Sequence, residues 1–444
     1  MTTIKNIVTK ASVCILCCSG AIHATTLEKS VFDTLQSSPD MAEAIQQYYA
    51  TKSDLNIATG RFLPRLDLFA DVGVEDTERE NRTPTATNTD NTTNIHRDRT
   101  SAKLRVSVPV FRGFANVNEH DRASSAMKSS YYKSLSKAEV ITLNLTKGYI
   151  DVLSAQDVIV MSEENLKHHQ QTYDLILERS NQGVANQADL SQIKSRLARA
   201  RANMISARSN YNNTKISYKQ ITGVMPKDLN RPKVDHNYIP MSNQRVVDIA
   251  FANHQILRSS QCDMDAAMSA SKAQNSHYYP EFDVVADITW KDDVGGYTGH
   301  EREWRVLLEM KWNLFAGGQT SEAHKKSVFQ EEATRMKLSS VMRSVKANAE
   351  ASWNAYEQLK QEKMYLREYV EQTEKTEKLY EQQFKAGKRS LLDLLDSQNE
   401  LFQARRSYIE SDYKYLYAQY RVVASMSYIL DALKINVMKG LRET

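Results

Sequence analysis

Cysteine is nearly missing from this chain. Three of its four cysteines, Cys14, Cys17 and Cys18, fall within the first 24 residues, leaving Cys262 alone beyond them. An internal disulfide or a cysteine metal centre is thereby excluded from residues 25–444. Proline and glycine are scarce as well, 8 and 14 in 444 residues. The prolines gather at Pro39, Pro64, Pro84 and Pro109 and again at Pro226, Pro232, Pro240 and Pro280. Proline breaks helix interiors, so the two proline-free windows, 110–225 and 281–444, admit unusually long helices. The longest apolar run, residues 11–22, is too short to cross a bilayer as a helix. HExxH, GxSxG, a glycine-rich phosphate loop and a cysteine cluster are all absent, which removes the usual supports for catalysis. The adjacent His168 and His169 would point to different sides of a helix, so they make no metal pair. The formal charge is only +4 and dispersed, which excludes the concentrated basic face of a nucleic-acid binder. No cofactor is expected.

What is present begins with a processing segment. Lys5 and Lys10 form a basic front before the apolar run, and Ala24 is a small residue suited to cleavage, so residues 1–24 read as a signal peptide. Lipidation at Cys17 or Cys18 is the alternative, though the small residues normally wanted before such a cysteine are missing.

The chain then repeats itself. Gly183 and Gly387 lie 204 residues apart, as do Asp189 and Asp393, Leu190 and Leu394, Leu197 and Leu401, and Arg201 and Arg405. Such a fixed offset marks an internal duplication. Residues 114–182 and 318–386 would each span about 100 Å as helices. In the second half Leu394, Leu401, Tyr408, Tyr415, Val422 and Ile429 recur every seven residues. Beside them runs a column of small residues, Ser397, Ala404, Ser411, Ala418 and Ser425. The first half has Leu190, Leu197, Met204, Tyr211 and Tyr218. A sustained heptad predicts left-handed supercoiling against neighbouring helices. A plain coiled-coil rod of the cell envelope would explain this much.

A rod does not explain the alternating stretches before each long helix. Leu66, Leu68, Ala70, Val72 and Val74 alternate with Arg65, Asp67, Asp71 and Glu75. Leu104, Val106, Val108 and Val110 oppose Lys103, Arg105 and Ser107. In the second half Phe282, Val284, Ala286, Ile288 and Trp290 oppose Glu281, Asp283, Asp287 and Lys291. Trp304, Val306, Leu308, Met310 and Trp312 likewise oppose Glu303, Arg305, Glu309 and Lys311. Runs of about ten residues with period two and one charged face predict transmembrane barrel strands, with the tryptophans as an aromatic girdle. Residues 76–100 and 292–301 read as polar loops joining each pair, the second containing Gly295, Gly296 and Gly299, with Asp292 and Asp293 as solvated turn residues. Four strands cannot close a barrel, and an open edge in lipid is costly, so two, three or four copies must share one of 8, 12 or 16 strands.

The order FLPRLDLF, PVFRGF, GVANQAD and YKQITG, repeated as HYYPEFDVV, WNLFAGG and AGKRSLLDLLD, resembles the TolC family of outer-membrane channel proteins over roughly residues 27–430. The resemblance implies an α+β membrane protein. Four transmembrane β-strands per chain would form a shared 12-strand trimeric barrel, continued by a long α-helical coiled-coil periplasmic tunnel. The expected organisation is a signal peptide at 1–24, a first repeat at 25–223, a second at 224–430 and a tail, 431–444, of no assigned role. The first repeat holds a helix, a β-hairpin at 65–111 and a helical hairpin at 112–223; the second holds helices, a β-hairpin at 281–313 and a helical hairpin at 316–430. The implied function is the exit duct of a tripartite type I protein secretion system, with multidrug efflux as the alternative. Implied partners are two further copies, a periplasmic adaptor, an inner-membrane ABC or proton-driven transporter, and outer-membrane lipid.

The resemblance also gives the tips a role. Asp189, Arg389, Asp393 and Asp396 stand where the family has its entrance ring and the links that hold it shut. Phe384 occupies the place of a tyrosine that hydrogen-bonds to the carboxylate matching Asp189, so one latch is absent. Lys194 or Lys388 could substitute. Gly183, Gly387 and Lys388 mark the tips an adaptor would contact. From the residues alone, Asp393 and Asp396 share a helix face. Repeated by rotational symmetry, each becomes a ring of like charge that attracts cations and raises carboxylate pKa values. Solvated helix-start carboxylates favoured by the dipole are the plainer alternative.

Overall fold

The computed structural model describes residues 25–80, 92–183, 186–295 and 299–436. The expected signal peptide, Gly296 and most of the tail lie outside the described residues. The chain divides into two compact units, Met1–Thr34 with Leu145–Lys233, and Leu35–Asn144 with Val234–Thr444.

In chain order come α1 (Leu27–Ser37), α2 (Pro39–Gly60), β1 (Arg65–Glu80), β2 (Thr92–Arg112), α3 (Ala115–Asn181) and α4 (Gln187–Thr222). They are followed by α5 (Asn243–Asn253), α6 (Gln255–Gln274), β3 (Glu281–Asp292), β4 (His300–Lys311), α7 (Gln319–Lys385), α8 (Leu391–Ser425) and the short α9 (Ile429–Ala432). Both α3 and α7 are 67 residues long, about 100 Å at 1.5 Å per residue. Neither contains a proline, which is what permits that length.

The first unit packs α1 and the C-terminal part of α3 with α4. Leu27, Val31, Tyr149, Ile193, Leu197 and Tyr218 are buried in it, and the Tyr218 hydroxyl lies 3.2 Å from Ser30 Oγ. In the second unit α7 packs on α5, α6 and α8. Its core joins Val246, Val247 and Ala250 to Val345, Ala349 and Tyr356 and to Ala418, Val422 and Met426. The small column Ser397, Ala404, Ser411, Ala418 and Ser425 is buried throughout, since small side chains let helix axes approach closely.

The four strands make one antiparallel sheet in the order β1-β2-β3-β4. Cross-strand register places Leu68 opposite Leu104, Leu104 opposite Ile288 and Ile288 opposite Trp304. The alternating apolar sets of all four strands therefore share one face, and Leu68, Trp304, Val306 and Leu308 stand exposed on it. Trp290 and Trp304 lie toward the β3–β4 turn, while Trp312 follows the opposite end of β4.

Two loop expectations change. Residues 76–100 are not mainly loop: β1 runs to Glu80 and β2 starts at Thr92, giving strands of 16 and 21 residues. Their polar residues still suit a ladder, because Thr100 lies opposite Val72 and Arg99 reaches Glu75 at 3.0 Å. Asp293 is more than a solvated turn residue. It sits at φ 54°, and its carboxylate accepts the Gly299 N–H at 2.7 Å, closing the β3–β4 turn. The start of the tail is also packed, with Leu433 buried beyond α9.

The duplication extends to backbone conformation. At the strand-to-helix junctions, Gly113 and Phe114 have φ of 55° and 66°, and 204 residues on Gly317 and Gly318 have 59° and 85°. Gly113 also needs its missing side chain, since a Cβ there would stand 2.6 Å from Ser276 O. Phe114 takes a left-handed conformation that its partner position gives to glycine, and its ring packs edge-on against Phe111 and Tyr279.

Candidate functional site

The two tips are built alike. After α3, Gly183 turns the chain at φ 73°, and Asn186 Oδ1 accepts the Asp189 N–H at 2.7 Å, capping α4. After α7, Gly387 turns at φ 72°, and Ser390 Oγ accepts the Asp393 N–H at 3.2 Å, capping α8. Only a residue that tolerates positive φ can reverse the chain in so few steps, which explains the glycine at both places.

Each candidate gate residue sits in one of these turns. Asp189 is half-buried in the first turn of α4, and Lys194 is exposed farther along that helix. In the second tip Arg389 lies 3.6 Å from Asp393, donates through Nε to Gln383 Oε1 at 3.0 Å, and places its guanidinium 4.2 Å from the centre of the Tyr380 ring. Arg389 is thus oriented by its own hairpin. Asp396 is exposed one turn beyond Asp393, and Lys388 is exposed beside Gly387. Phe384 is buried against its own hairpin.

Like-charge repulsion from a ring predicts a raised carboxyl at Asp393, but within the chain the shift runs the other way. Hydrogen bonding to the Ser390 hydroxyl, then to its backbone N–H, and the charge of Arg389 hold this carboxyl below its usual range. The carboxylate and Ser390 cap one another reciprocally. Tyr380, Gln383 and the caps Asn186 and Ser390 carry no mark in a residue-by-residue reading. The spacings N-x-x-D and S-x-x-D at a 204-residue offset are the signal that identifies the caps.

The charged face of the sheet is the second part of the site. Asp67, Arg105, Asp287 and Arg305 form one straight cross-strand row of alternating sign. Arg105 grips Asp287 with two bonds of 2.8 and 3.0 Å, Arg305 reaches it at 2.9 Å, and Lys103 at 3.2 Å. The Asp287 side chain is only 1% exposed, in a strand most of whose residues are half-buried. On the same face Arg99 pairs with Asp71 and Glu75, and Arg112 with Glu281 and Asp283. A sheet with one apolar face, one ion-paired face and two open edges, β1 and β4, suits the wall of a water-filled barrel in lipid. Among the described residues no group of His, Cys, Asp or Glu is arranged to hold a metal ion, and no helix is long and apolar enough to cross a membrane.

An amphipathic antiparallel sheet and long helical hairpins are features of an outer-membrane channel. Residues 32–224 and 246–426 match the outer membrane efflux protein family, and the chain belongs to that family, the TolC family of channels. It is 21% identical over 322 residues to the outer membrane efflux protein BepC of Brucella suis, covering 72% of this chain and 70% of that protein. It is 20% identical over 420 residues to the outer membrane protein TolC of Escherichia coli, covering 90% and 82%. The alkaline protease secretion protein AprF of Pseudomonas aeruginosa matches at 21% over 399 residues, covering 87% and 81%. The crystal structure of the Campylobacter jejuni CmeC outer membrane channel superposes with a TM-score of 0.78 at 14% identity, covering 94% and 88%. The protein is an outer-membrane efflux channel with a periplasmic tunnel, and its family and fold are those of channels rather than enzymes.

Proposed function

We propose that three copies join their four-stranded sheets edge to edge into a 12-strand barrel, and that the duct serves a tripartite type I protein secretion system. The observation that carries the duct is the sheet, with its apolar and ion-paired faces and open edges at β1 and β4. In lipid each unpaired edge would cost several kcal/mol per unsatisfied group, so pairing β4 of one copy with β1 of the next removes the penalty. The long hairpins then form the tunnel, with Gly183, Gly387 and Lys388 at the end a periplasmic adaptor grips by helix packing. An inner-membrane ABC or proton-driven transporter supplies the energy.

In this reading Asp189, Arg389, Asp393 and Asp396 ring the entrance, and Phe384, lacking a hydroxyl, leaves it held by fewer polar links. Protein secretion is favoured by the aspartates and the oriented Arg389 at the second tip and by kinship with AprF. Kinship with BepC favours the second reading, drug efflux. Quantitative proteomics of culture medium from a strain lacking this chain separates the two. Loss of one or a few large proteins supports secretion; an unchanged profile with increased drug susceptibility replaces it with efflux. For the entrance, Asp393→Ala with Asp396→Ala should weaken block by divalent cations about tenfold, since two carboxylate rings are removed; unchanged block in bilayer recordings rejects the ring.

A further inference from the structure

At the centre of the ion-paired face three cations meet on one carboxylate. Lys103, Arg105 and Arg305 converge on Asp287 within 3.2 Å, and Asp287 is the carboxylate that all three touch. The surrounding rows dilute this charge but do not remove it. Asp67 lies across the strand from Arg105 but is taken up by Arg65 at 2.7 Å. Glu303 lies opposite Thr289 and within 3.8 Å of Lys291, and Glu309 lies opposite Asp283. The next row on one side runs from Arg65 through the uncharged Ser107, Val285 and Leu307.

We infer that Asp287 sets the charge selectivity of the barrel lumen: it masks a three-cation cluster that, uncovered, would make the wall a collar for anionic solutes and acidic polypeptide. The inference rests on the duct reading, which puts this face inward. Its position is what gives Asp287 the role. Carboxylates elsewhere on the face pair singly or at strand ends, as Glu281 and Asp283 do with Arg112, whereas Asp287 is central in the row and buried under its three partners; the charges of Asp67 and Glu309 reach Arg105 only without a hydrogen bond. Threefold repetition would place three such clusters at one level of the lumen, so a single substitution changes a ring.

The selectivity is read without passing any solute through the tips. In a Cys262→Ser background, Ser107→Cys puts a thiol beside the cluster, diagonal to Asp287 in the register. Outer-membrane fragments are treated with an anionic sulfonate thiosulfonate or its trimethylammonium counterpart, and labelling of the peptide bearing position 107 is followed by mass spectrometry. Adding Asp287→Asn should raise the anionic-to-cationic rate ratio about two- to fivefold, because one unit charge roughly 7 Å away acts with opposite sign on the two reagents through screened solvent. Arg305→Gln should lower the ratio by a similar factor, and it leaves Asp287 with Lys103 and Arg105, so its folding is not at issue. The double variant should return the ratio toward the parent. Equal ratios in all variants overturn the inference while leaving the duct intact. Val306→Cys on the apolar face tests the reading beneath it: lipid should protect this thiol from both reagents, and labelling as fast as at position 107 overturns the barrel and the inference together.

Discussion

The two helical hairpins place an arginine against the same partner position and use different chemistry there. In α7 and α8, Arg405 meets Glu374 at 2.6 and 3.0 Å. In α3 and α4, 204 residues earlier, Arg201 meets Gln170 at 3.2 Å. The second hairpin is braced again where Lys363 reaches Asp412 at 2.6 Å, positions held in the first by Ile159 and Arg208. Next to Gln170, His169 is buried with no partner at Nδ1, whereas Thr373 at the corresponding place satisfies its hydroxyl on Tyr369 O at 2.9 Å. The duplication has kept the backbone positions that need positive φ and let the side-chain bonds between helices diverge. Ser427 is the limiting case, standing where the first repeat has the C-cap Gly223, at φ 60° against 78°. A non-glycine there costs about 1 kcal/mol. Bonds from its hydroxyl to Glu139 at 3.0 Å and from the Gln255 N–H at 3.3 Å offset the strain.

The contrast predicts opposite pH responses. Burial, against the Ser427 hydrogen bond and with some help from Asp431, pushes the Glu139 carboxyl up to about 8. A folded pKa above the unfolded one stabilises fully below the ordinary carboxylate range, and that stabilisation is lost as pH rises through about 8. The melting midpoint should therefore fall between pH 5 and 9, by the equivalent of on the order of 2–4 kcal/mol, and Glu139→Gln should flatten the profile. An equally steep fall in Glu139→Gln would mean another group is responsible.

His169 should act with the reverse sign and a smaller effect. Burial, then the charges of Arg196 and His168, bring its imidazole down to about 4. Its neutral form stabilises above the ordinary histidine range, and this is lost as pH falls toward about 4. Hydrogen-exchange protection in α3 and α4, corrected for the intrinsic amide rate at each pH, should fall between pH 6.5 and 4 by the equivalent of about 2 kcal/mol, and His169→Gln should remove that acid sensitivity. An equal loss of protection in α7 and α8 would break the comparison.

The smallest expected effect comes from exchanging the braces. Gln170→Glu should stabilise the first hairpin and Glu374→Gln weaken the second, each by about 0.5 kcal/mol, the usual worth of an exposed ion pair, and both should shrink in high salt. Calorimetry of the two variants checks the signs. Equal and salt-independent shifts would show that the pairs do not differ in the way their distances indicate.

Much of this architecture is written in local pattern. Period seven in 394–430 and period two in 281–291 are properties of consecutive residues, and a missing proline or a glycine before a cap acts within one turn. The exceptions have identifiable causes. Residues 76–100 read as loop because threonine, arginine and glutamate lack apolar alternation, yet strand pairing needs only an opposite partner, which Arg99 and Glu75 supply. Arg389 was legible as a tip charge, but not its seat on Tyr380, since ring stacking depends on side-chain direction across the turn.

The two repeats, the long helices, the alternating strands and the glycines that turn both tips are legible in the residues alone. Those follow from backbone sterics and the periodicity of side chains, which act between near neighbours. It takes the folded chain to place Asp287 under Arg105, 182 residues away, to give one arginine a carboxylate and its repeat an amide, and to set Ser427 on Glu139 across 288 residues. Electrostatic partnership falls off within a few ångströms, and chain position does not fix which charges come that close.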